Sequence, residues 1–273
     1  MESTLPKKIW FLWLQGLDYA PLLVRKCYES WVENNPGWEI VLLDEQSISN
    51  YMPAVGKSVT RQALSDILRI NLLAAFGGVW VDATCYCNRP LDEWIYDHLR
   101  SGFFAFERPG PDRMISSWFL AAEKYNYLVA TYCNKVNMYW GENPDMQYIE
   151  DSRRKKLNKR LQRMKRQIWF SKLTTRILKV YPYFWFHYLF EQIYLHDDNF
   201  RAMWDATPKL SADPPDNITN EKLYAPLDAE IKELIDSKKR PVYKLTYKIA
   251  PPADINGTVM SYLFATIPGK KQI

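Results

Sequence analysis

Short apolar runs alternate with longer segments of helical periodicity in the N-terminal part of the chain, and this alternation limits the possible folds more than any other feature. The apolar runs predict buried strands over 9–14, 38–43, 79–81 and 102–106. Apolar residues at helical spacing predict helices over 21–34 and about 58–76, the second ending at Gly77 and Gly78. Strands that alternate with helices are typical of an α/β fold.

Beyond about residue 110 the pattern becomes mainly helical. Helical spacing predicts helices over 115–132, about 152–180 and 184–204. The sequence contains no internal repeat and no flexible linker. We therefore expect a single domain over 1–273, with an α/β half at 1–110 and a helical half at 111–273.

The basic residues are concentrated in one segment. Residues 153–166 contain 9 of the 36 lysines and arginines and no acidic residue, so the rest of the chain is mildly acidic despite a net charge of +5. A nucleic-acid-binding protein usually spreads its charge over a broad face, and no zinc finger or RNA-recognition motif is present. We therefore expect no nucleic-acid partner.

The same segment predicts contact with a membrane. Leu157, Leu161, Met164 and Ile168 form an apolar stripe along a helix whose other positions are largely basic. This composition is typical of a helix that lies in the interface of an anionic membrane, which predicts contact through 153–170. The alternative is a helix packed on the protein body with its basic face in solvent.

Cysteine content and hydropathy favour a cytoplasmic protein. The 4 cysteines form no Cys-x-x-Cys pair and are too few for a disulfide scaffold. No apolar run reaches the roughly 18 residues expected of a membrane-spanning helix. We expect a cytoplasmic protein that is soluble or peripheral on the inner face of the membrane.

Polar and aromatic side chains follow the predicted strands. Trp13 and Gln15 follow the first strand, and Asp44, Asp82 and Glu107 follow the second, third and fourth. Because ligands of open α/β sheets bind at the carboxyl ends of the strands, these residues are candidates to stack a flat base, bond its edge and hold a metal. The alternative is that Trp13 is a core residue and the acids are solvated.

A second candidate group lies on the helix predicted over about 58–76. Asp66 and Arg69 are three residues apart and therefore share a helix face. Either they pair with each other or both face a ligand, the carboxylate binding sugar hydroxyls and the guanidinium a phosphate or glycosidic oxygen. A surface ion pair, worth little, is the remaining alternative.

Four motifs carry a resemblance to a known family. They are LPKKIW at 5–10, SW at 30–31 with NPGWE at 35–39, SDILR at 65–69 and GGVWVDAT at 77–84. In order and spacing they resemble the capsular polysaccharide synthesis proteins, relatives of DXD-containing sugar transferases such as yeast mannosyltransferases and the glucosyltransferase domains of clostridial toxins. The resemblance implies a GT-A (Rossmann-like) fold with a helical extension that transfers a sugar from a nucleotide-sugar with retention at the anomeric carbon.

The resemblance also implies roles for individual residues. Trp13 matches the tryptophan that stacks on the nucleotide base, and Asp66 and Arg69 match the pair that holds the donor sugar. Asp82 matches the first aspartate of the DXD motif, which meets the ribose and the metal. The implied donor is a UDP- or GDP-sugar, and the implied acceptor is a glycan or a lipid-linked precursor in surface polysaccharide synthesis.

Thr84 stands where the family has its second aspartate. The resemblance implies Mn²⁺ or Mg²⁺ at Asp82 and Thr84, but a hydroxyl is a weak neutral ligand, so the site has lost one negative charge. Basic side chains would then share in neutralising the leaving diphosphate, and Lys244 and Lys248 are the candidates. The alternative is that both are surface lysines on an edge strand.

Glu107, Trp118 and His187 are predicted on the acceptor side, although a buried core histidine is the alternative for His187. Two other functions stay open at this point. One is a transferase that modifies protein side chains, and the other is a non-catalytic module that binds a nucleotide-sugar.

Overall fold

A mixed five-stranded sheet forms the centre of the structure. The structure is a computed structural model, and it describes residues 5–51, 59–150, 155–161, 164–213, 218 and 222–268. The strands are β1 (Lys8–Leu12), β2 (Glu39–Leu43), β3 (Gly78–Asp82), β4 (Cys85–Cys87), β5 (Phe103–Gly110), β6 (Arg113–Ala122), β7 (Gln147–Tyr148), β8 (Val180–Tyr181) and β9 (Val242–Lys244). The α-helices are α1 (Leu22–Asn34), α2 (Arg61–Phe76), α3 (Tyr127–Gly141), α4 (Lys155–Leu161), α5 (Trp185–His196), α6 (Asp198–Ala206), α7 (Ala229–Asp236) and α8 (Val259–Ala265).

The strand order of the central sheet is β2-β1-β3-β6-β5. The first three strands are parallel, and β6 runs antiparallel to both β3 and β5. The carboxyl ends of β1, β2 and β3 therefore lie at one edge of the sheet. A separate antiparallel pair consists of β4, which follows β3 directly in the chain, and β9 from the C-terminal half.

Apolar side chains on both faces of the sheet explain its position between helices. Along β1, Ile9 and Phe11 join the core that contains Trp31 of α1, whereas Trp10 and Leu12 join the core shared with α2, α3 and α5. These four side chains of β1 are all buried. A strand buried on both faces reads as a continuous apolar run, which is the pattern of 9–14.

The predicted α/β class is confirmed, and so are the strands and helices of the first 82 residues. Strands β1, β2 and β3 and helix α1 match their predicted ranges to within about two residues, and α2 begins at Arg61, where the Thr60 side chain accepts a hydrogen bond from the amide of Ala63. Ser58, the predicted start of that helix, lies outside the described residues.

The prediction of a single helix over 115–132 is wrong. Residues up to Ala122 form strand β6, and α3 begins only at Tyr127, capped by the Asn126 side chain. The run from Trp118 to Ala122 is buried on both faces of the sheet, and such a run cannot be distinguished from a buried helix by periodicity alone. The central sheet thus takes a strand from beyond residue 110.

Two other predicted helices are interrupted. The helix over 184–204 divides into α5 and α6 at Asp197, whose carboxylate accepts a hydrogen bond from the amide of Phe200 and so starts a new helix. In place of one helix over 152–180, the structure has α4, a 3₁₀ turn at Arg166–Phe170 and a π-helical turn at Leu173–Leu178.

The apolar stripe predicted to face a membrane packs inside the protein instead. Leu161 and Trp169 are buried in a small core with Ile149 and Val180, and Leu157 and Ile168 pack against it. Met164 remains exposed, as do the basic side chains of Lys156, Arg160 and Lys165. The prediction that this apolar stripe inserts into a membrane is therefore wrong. Electrostatic contact of 153–170 with an anionic membrane stays a prediction.

No helix within the described ranges combines the length and the apolar character needed to cross a membrane. The four cysteines, at positions 27, 85, 87 and 133, are buried and form no disulfide bond with one another.

Gly78 is required by the close approach of β3 to β1. Its φ is +95°, and a Cβ atom at this position would lie 2.5 Å from the carbonyl oxygen of Lys8. The neighbouring backbone of β1 is held on both sides by strand pairing and cannot move away easily.

We therefore expect Gly78→Ala to lower the free energy of unfolding by about 2–4 kcal/mol, because it adds both backbone strain and a steric clash. Chemical denaturation measures this change. Gly37→Ala is the matched control, since a Cβ there meets nothing within 4 Å. Equal loss of stability in the two variants would contradict the explanation.

Candidate functional site

A cavity of about 300 Å³ opens at the carboxyl ends of β1 and β3. It is lined by Leu12, Trp13, Leu14, Gln15, Arg61, Gln62, Ser65, Asp66, Arg69, Trp80, Asp82, Ala83, Thr84, Ser117, Tyr183, His187, Lys244 and Tyr247. Most of the residues predicted to bind the donor thus line one cavity.

Arg69 of α2 is the centre of the hydrogen bonds and ion pairs below this cavity. Its guanidinium is 2.8 Å from a carboxylate oxygen of Asp66 and 3.2 Å from Oδ1 of Asp82. It also donates to the carbonyl oxygen of Ser117 at 2.7 Å and to the hydroxyl of Ser65 at 2.9 Å. Arg69 is only 4% exposed, so the surface ion pair considered from the sequence is wrong and the pair is buried.

Asp66 is also buried, at 7% exposure, and this changes its protonation. Burial raises the pKa of Asp66 to about 7, with the Asp82 carboxylate adding to the rise and the Arg69 guanidinium opposing it. A carboxyl group with a pKa near neutrality can hold or release a proton inside the cavity. Such a group in a cleft is a typical feature of a functional site.

Asp82, at the end of β3, receives cationic donors on both carboxylate oxygens. Arg69 and the indole of Trp80 donate to Oδ1, whereas the ammonium group of Lys244 donates to Oδ2 at 3.1 Å. Burial acts to raise the pKa of Asp82, but Lys244 and Arg69 outweigh it, so the pKa lies below its ordinary value. Asp82 is therefore ionised at neutral pH.

Lys244 also donates to the hydroxyl of Thr84, at 2.6 Å. Its ammonium group thus contacts both residues at the predicted DXD positions, Asp82 and Thr84. The backbone explains this approach, because Lys244 ends β9 and pairs directly with Cys85 of β4.

An aromatic pair also lines the cavity. Trp13 is half-buried, and its ring meets that of Tyr247 edge to face, with ring centroids 5.3 Å apart. The indole nitrogen of Trp13 is buried and has no hydrogen-bond partner among the described residues. Gln15 is exposed on the same rim.

His187, from α5, lines the cavity next to Tyr183. Burial lowers the pKa of His187 to about 3, and the Arg113 and Arg69 guanidinium groups add to this effect. The imidazole is therefore neutral at pH 7. Its Nδ1 atom is buried without a partner in the part of the chain that the structure describes.

Four predicted site residues lie elsewhere. Asp44 stabilises the turn after β2, where its carboxylate accepts hydrogen bonds from the amides of Gln46 and Ser47. Trp118 is 7% exposed and stacks on a phenylalanine of the core. Glu107 lines a different cavity, and Lys248 is exposed and does not line the main one.

Sequence reasoning missed several contributors to the site, among them Tyr183, Tyr247, Trp80 and the main chain of Ser117. Tyr247 lies between the two predicted residues Lys244 and Lys248, in the sequence KLTYK at 244–248, so its position near the site could have been predicted. Trp80 was interpreted only as part of an apolar strand, although its indole also bonds Asp82. The main-chain carbonyl of Ser117 leaves no signal in a sequence.

The side chains of Asp82 and Thr84 form an unsuitable set of ligands for a divalent cation. Within the described ranges, no three His, Cys, Asp or Glu side chains are arranged to hold a metal ion. Asp82 supplies one carboxylate and Thr84 one hydroxyl, and both already accept from Lys244. One or two carboxylates can hold Mg²⁺ when substrate phosphates supply further oxygens, but here a cation would have to displace the ammonium group of Lys244 from both residues. The Mn²⁺ or Mg²⁺ implied by the resemblance would therefore meet a poor site.

Comparisons with known proteins agree with the resemblance of the four motifs. The sequence profile described as capsular polysaccharide synthesis protein matches residues 1–149. The chain is 25% identical to the O-glycosyltransferase braB of Annulohypoxylon truncatum, over 50% of this chain and 38% of that protein. It is 30% identical to the initiation-specific alpha-1,6-mannosyltransferase of Candida albicans, over 40% of this chain and 33% of that protein.

Two further similarities concern a bacterial protein and a solved structure. Subversion of eukaryotic traffic protein A of Legionella pneumophila is 24% identical over 55% of this chain and 25% of its own length. The chain thus spans well under half the length of the curated relatives it matches. Among solved structures, the PaToxG glycosyltransferase aligns with a TM-score of 0.37 and 14% identity, covering 85% of this chain and 84% of that one.

The buried carboxyl group of Asp66 predicts an unusual dependence of stability on pH. Its pKa is about 7 in the folded protein and about 4 in an unfolded chain, so the folded state binds the proton more tightly. The stability due to this group therefore falls as the pH rises from about 4 to about 7. Asp66→Asn removes this titrating group. The melting temperature of the variant minus that of wild type should therefore increase as the pH rises from about 5 to about 8.

Asp236→Asn is the control for this measurement. Hydrogen bonds from Lys232 and Tyr262 lower the pKa of Asp236, so this exposed carboxylate is ionised in both states throughout that pH range. Its difference from wild type should stay constant. A constant difference for Asp66→Asn as well would contradict the raised pKa of Asp66.

Proposed function

The chain belongs to the capsular polysaccharide synthesis protein family, and on that premise we propose that it is a glycosyltransferase of GT-A type that uses a nucleotide-sugar donor. The observation that carries the proposal is the cavity at the carboxyl ends of β1 and β3. This cavity joins an aromatic surface at Trp13 to the charged group of Asp66, Arg69, Asp82 and Lys244.

The cavity offers the groups that a nucleotide-sugar needs. An aromatic ring binds a base by stacking, and the half-buried ring of Trp13 lines the cavity. The cations of Lys244 and Arg69 lie where a diphosphate would be bound, and the Asp66 carboxyl can accept from sugar hydroxyls. The base, the diphosphate and the sugar would therefore lie in this order along the cavity.

The proposed reaction exchanges one C–O bond for another. The bond between the anomeric carbon and the β-phosphate oxygen breaks, and its electron pair stays on the released diphosphate. The acceptor hydroxyl bonds to the anomeric carbon and loses its proton to solvent. Fixed cations beside the leaving oxygen stabilise the charge that develops there, which is the main catalytic task of the protein.

The acceptor is proposed to be a glycan or a lipid-linked precursor in surface polysaccharide synthesis, with retention at the anomeric carbon. Tyr183 and His187 line the side of the cavity contributed by the C-terminal half, and they are the candidate acceptor contacts. Tyr183 is 49% exposed, so an incoming hydroxyl compound can reach it. Electrostatic contact of the exposed basic residues within 153–170 with an anionic membrane would bring such an acceptor close.

Slow hydrolysis of the donor tests the proposal without knowledge of the acceptor. We expect the full chain to release UDP or GDP from one or a few members of a panel containing UDP-glucose, UDP-galactose, UDP-N-acetylglucosamine and GDP-mannose. Asp82→Asn should reduce this rate at least about 100-fold, because it leaves the cations of Lys244 and Arg69 without their shared carboxylate and disturbs the diphosphate site.

Asp92→Asn is the matched control for this substitution. Asp92 forms an ion pair with Lys7 at the protein surface, so its loss should leave hydrolysis per folded molecule unchanged. Binding of a nucleotide-sugar without any hydrolysis would favour the non-catalytic module instead. Neither binding nor hydrolysis with any donor would contradict the proposed function.

Trp13→Ala should mainly weaken donor binding. Base stacking is worth about 1–3 kcal/mol and is made equally in the ground state and the transition state. The KM for the donor should therefore rise about tenfold or more, whereas kcat should change little. Tyr125→Ala, which removes an aromatic ring that is 80% exposed, should leave both constants unchanged. An unchanged donor KM in Trp13→Ala would remove Trp13 from the base site.

A further inference from the structure

We infer that the ammonium group of Lys244 takes the place of the divalent cation in this chain, so that sugar transfer proceeds on the charges of the protein alone. The inference rests on the proposed function, since it concerns the diphosphate of the donor. It goes further by identifying a built-in cation in the charged group around Asp82.

The position of the ammonium group is the first argument. Lys244 Nζ lies 3.1 Å from Asp82 Oδ2 and 2.6 Å from the Thr84 hydroxyl. These are the two positions that correspond to the aspartates of a DXD motif, so the ammonium group lies between the side chains that would ligate a metal. A metal ion and this ammonium group cannot share the same two ligands.

The charge balance is the second argument. Two aspartates and a divalent cation together carry a net charge of zero. Lys244, Asp82 and the neutral Thr84 also carry a net charge of zero, because the loss of one carboxylate matches the loss of one positive charge. Thr84 and Lys244 therefore compensate each other, and a diphosphate would meet the same net charge as in a metal-containing site.

The rigidity of the lysine is the third argument. Cys85 of β4 pairs with Lys244, and the amide of Leu245 donates to the carbonyl of Thr84 at 2.8 Å. Tyr243 and Leu245, on either side, are 0% and 3% exposed. The stem of Lys244 thus leaves a fixed strand, and a positioned cation stabilises a developing charge without reorganising at the moment of reaction.

Protonation of Lys244 is consistent with this role. Burial acts to lower the pKa of Lys244, but the Asp82 carboxylate outweighs burial and holds the pKa above its ordinary value. The group is therefore positively charged at neutral pH. It acts as an electrostatic partner of the leaving diphosphate while the acceptor hydroxyl loses its proton to solvent.

Metal removal from the wild-type protein is the first arm of the test. Donor hydrolysis should persist in EDTA, and the electron paramagnetic resonance signal of free Mn²⁺ should not change when the wild-type protein is added. Complete loss of hydrolysis in EDTA, restored by Mn²⁺, would overturn the inference while leaving the proposed function intact. Capture of Mn²⁺ by the wild type that disappears in Asp82→Asn would overturn it as well.

Substitution of the lysine is the second arm. Lys244→Gln should lower donor hydrolysis about 100-fold and weaken the binding of UDP or GDP, and added Mn²⁺ should not restore either. Lys239→Gln removes an exposed charge five residues away in the chain and should alter neither quantity. If a folded Lys244→Gln protein, judged by circular dichroism, hydrolysed the donor at the wild-type rate, the inference would be overturned.

A double variant reverses the exchange of charges. Thr84→Asp with Lys244→Gln creates a pair of carboxylates at positions 82 and 84 and removes the ammonium group, so this protein should bind Mn²⁺ and hydrolyse the donor only when Mn²⁺ is present.

If the wild type neither binds UDP or GDP nor hydrolyses any donor, the proposed function has failed. The Mn²⁺ signal then decides alone, because capture by the double variant but not by the wild type supports the cation role of Lys244.

Discussion

The buried guanidinium of Arg69 is the interaction on which the arrangement of the site depends. A positive charge that is 4% exposed must be neutralised and hydrogen-bonded, and its partners come from three elements of the fold. Asp66 and Ser65 lie on α2, Asp82 ends β3, and the Ser117 carbonyl belongs to β6. Removing one partner of a buried ion pair typically costs about 3–5 kcal/mol, so the same contacts fix the helix against the sheet and the carboxylates in the cavity.

Sequence patterns predicted the elements whose periodicity has a single explanation. The apolar run that became β1 and the helical spacing of α2, ended by Gly77 and Gly78, were both predicted correctly. The strand β6 was not. It is buried on both faces like β1, but only four residues separate it from α3, so strand and helix together were predicted as one helix over 115–132. Trp118 was assigned to the acceptor side for its ring alone, but aromatic residues fill most of this core, where it stacks on Phe106.

Some of the motifs that carry the family resemblance stabilise the fold, and others line the cavity. The Ser30 hydroxyl accepts from the amide of Cys87, and the Trp31 indole donates to the carbonyl of Cys85, so both hold α1 against β4. The side-chain oxygen of Asn35 also accepts a hydrogen bond from the amide of Leu91, which is a further structural contact. Only the motifs at 65–69 and 77–84 reach the cavity. From sequence alone these two groups look equally significant, because both consist of polar or aromatic residues at fixed spacing.

The pairing of β4 with β9 has a consequence for the order in which the protein acquires its site. The contact between Asp82 and Lys244 closes a loop of 162 residues, and contacts of such long sequence separation form late in folding. A nascent chain that has emerged only as far as β6 already contains Asp66, Arg69 and Asp82 but lacks the cation from β9. During synthesis, the charged cavity is therefore completed only when the segment around Lys244 docks, and binding of the proposed donor would be a late marker of the native state.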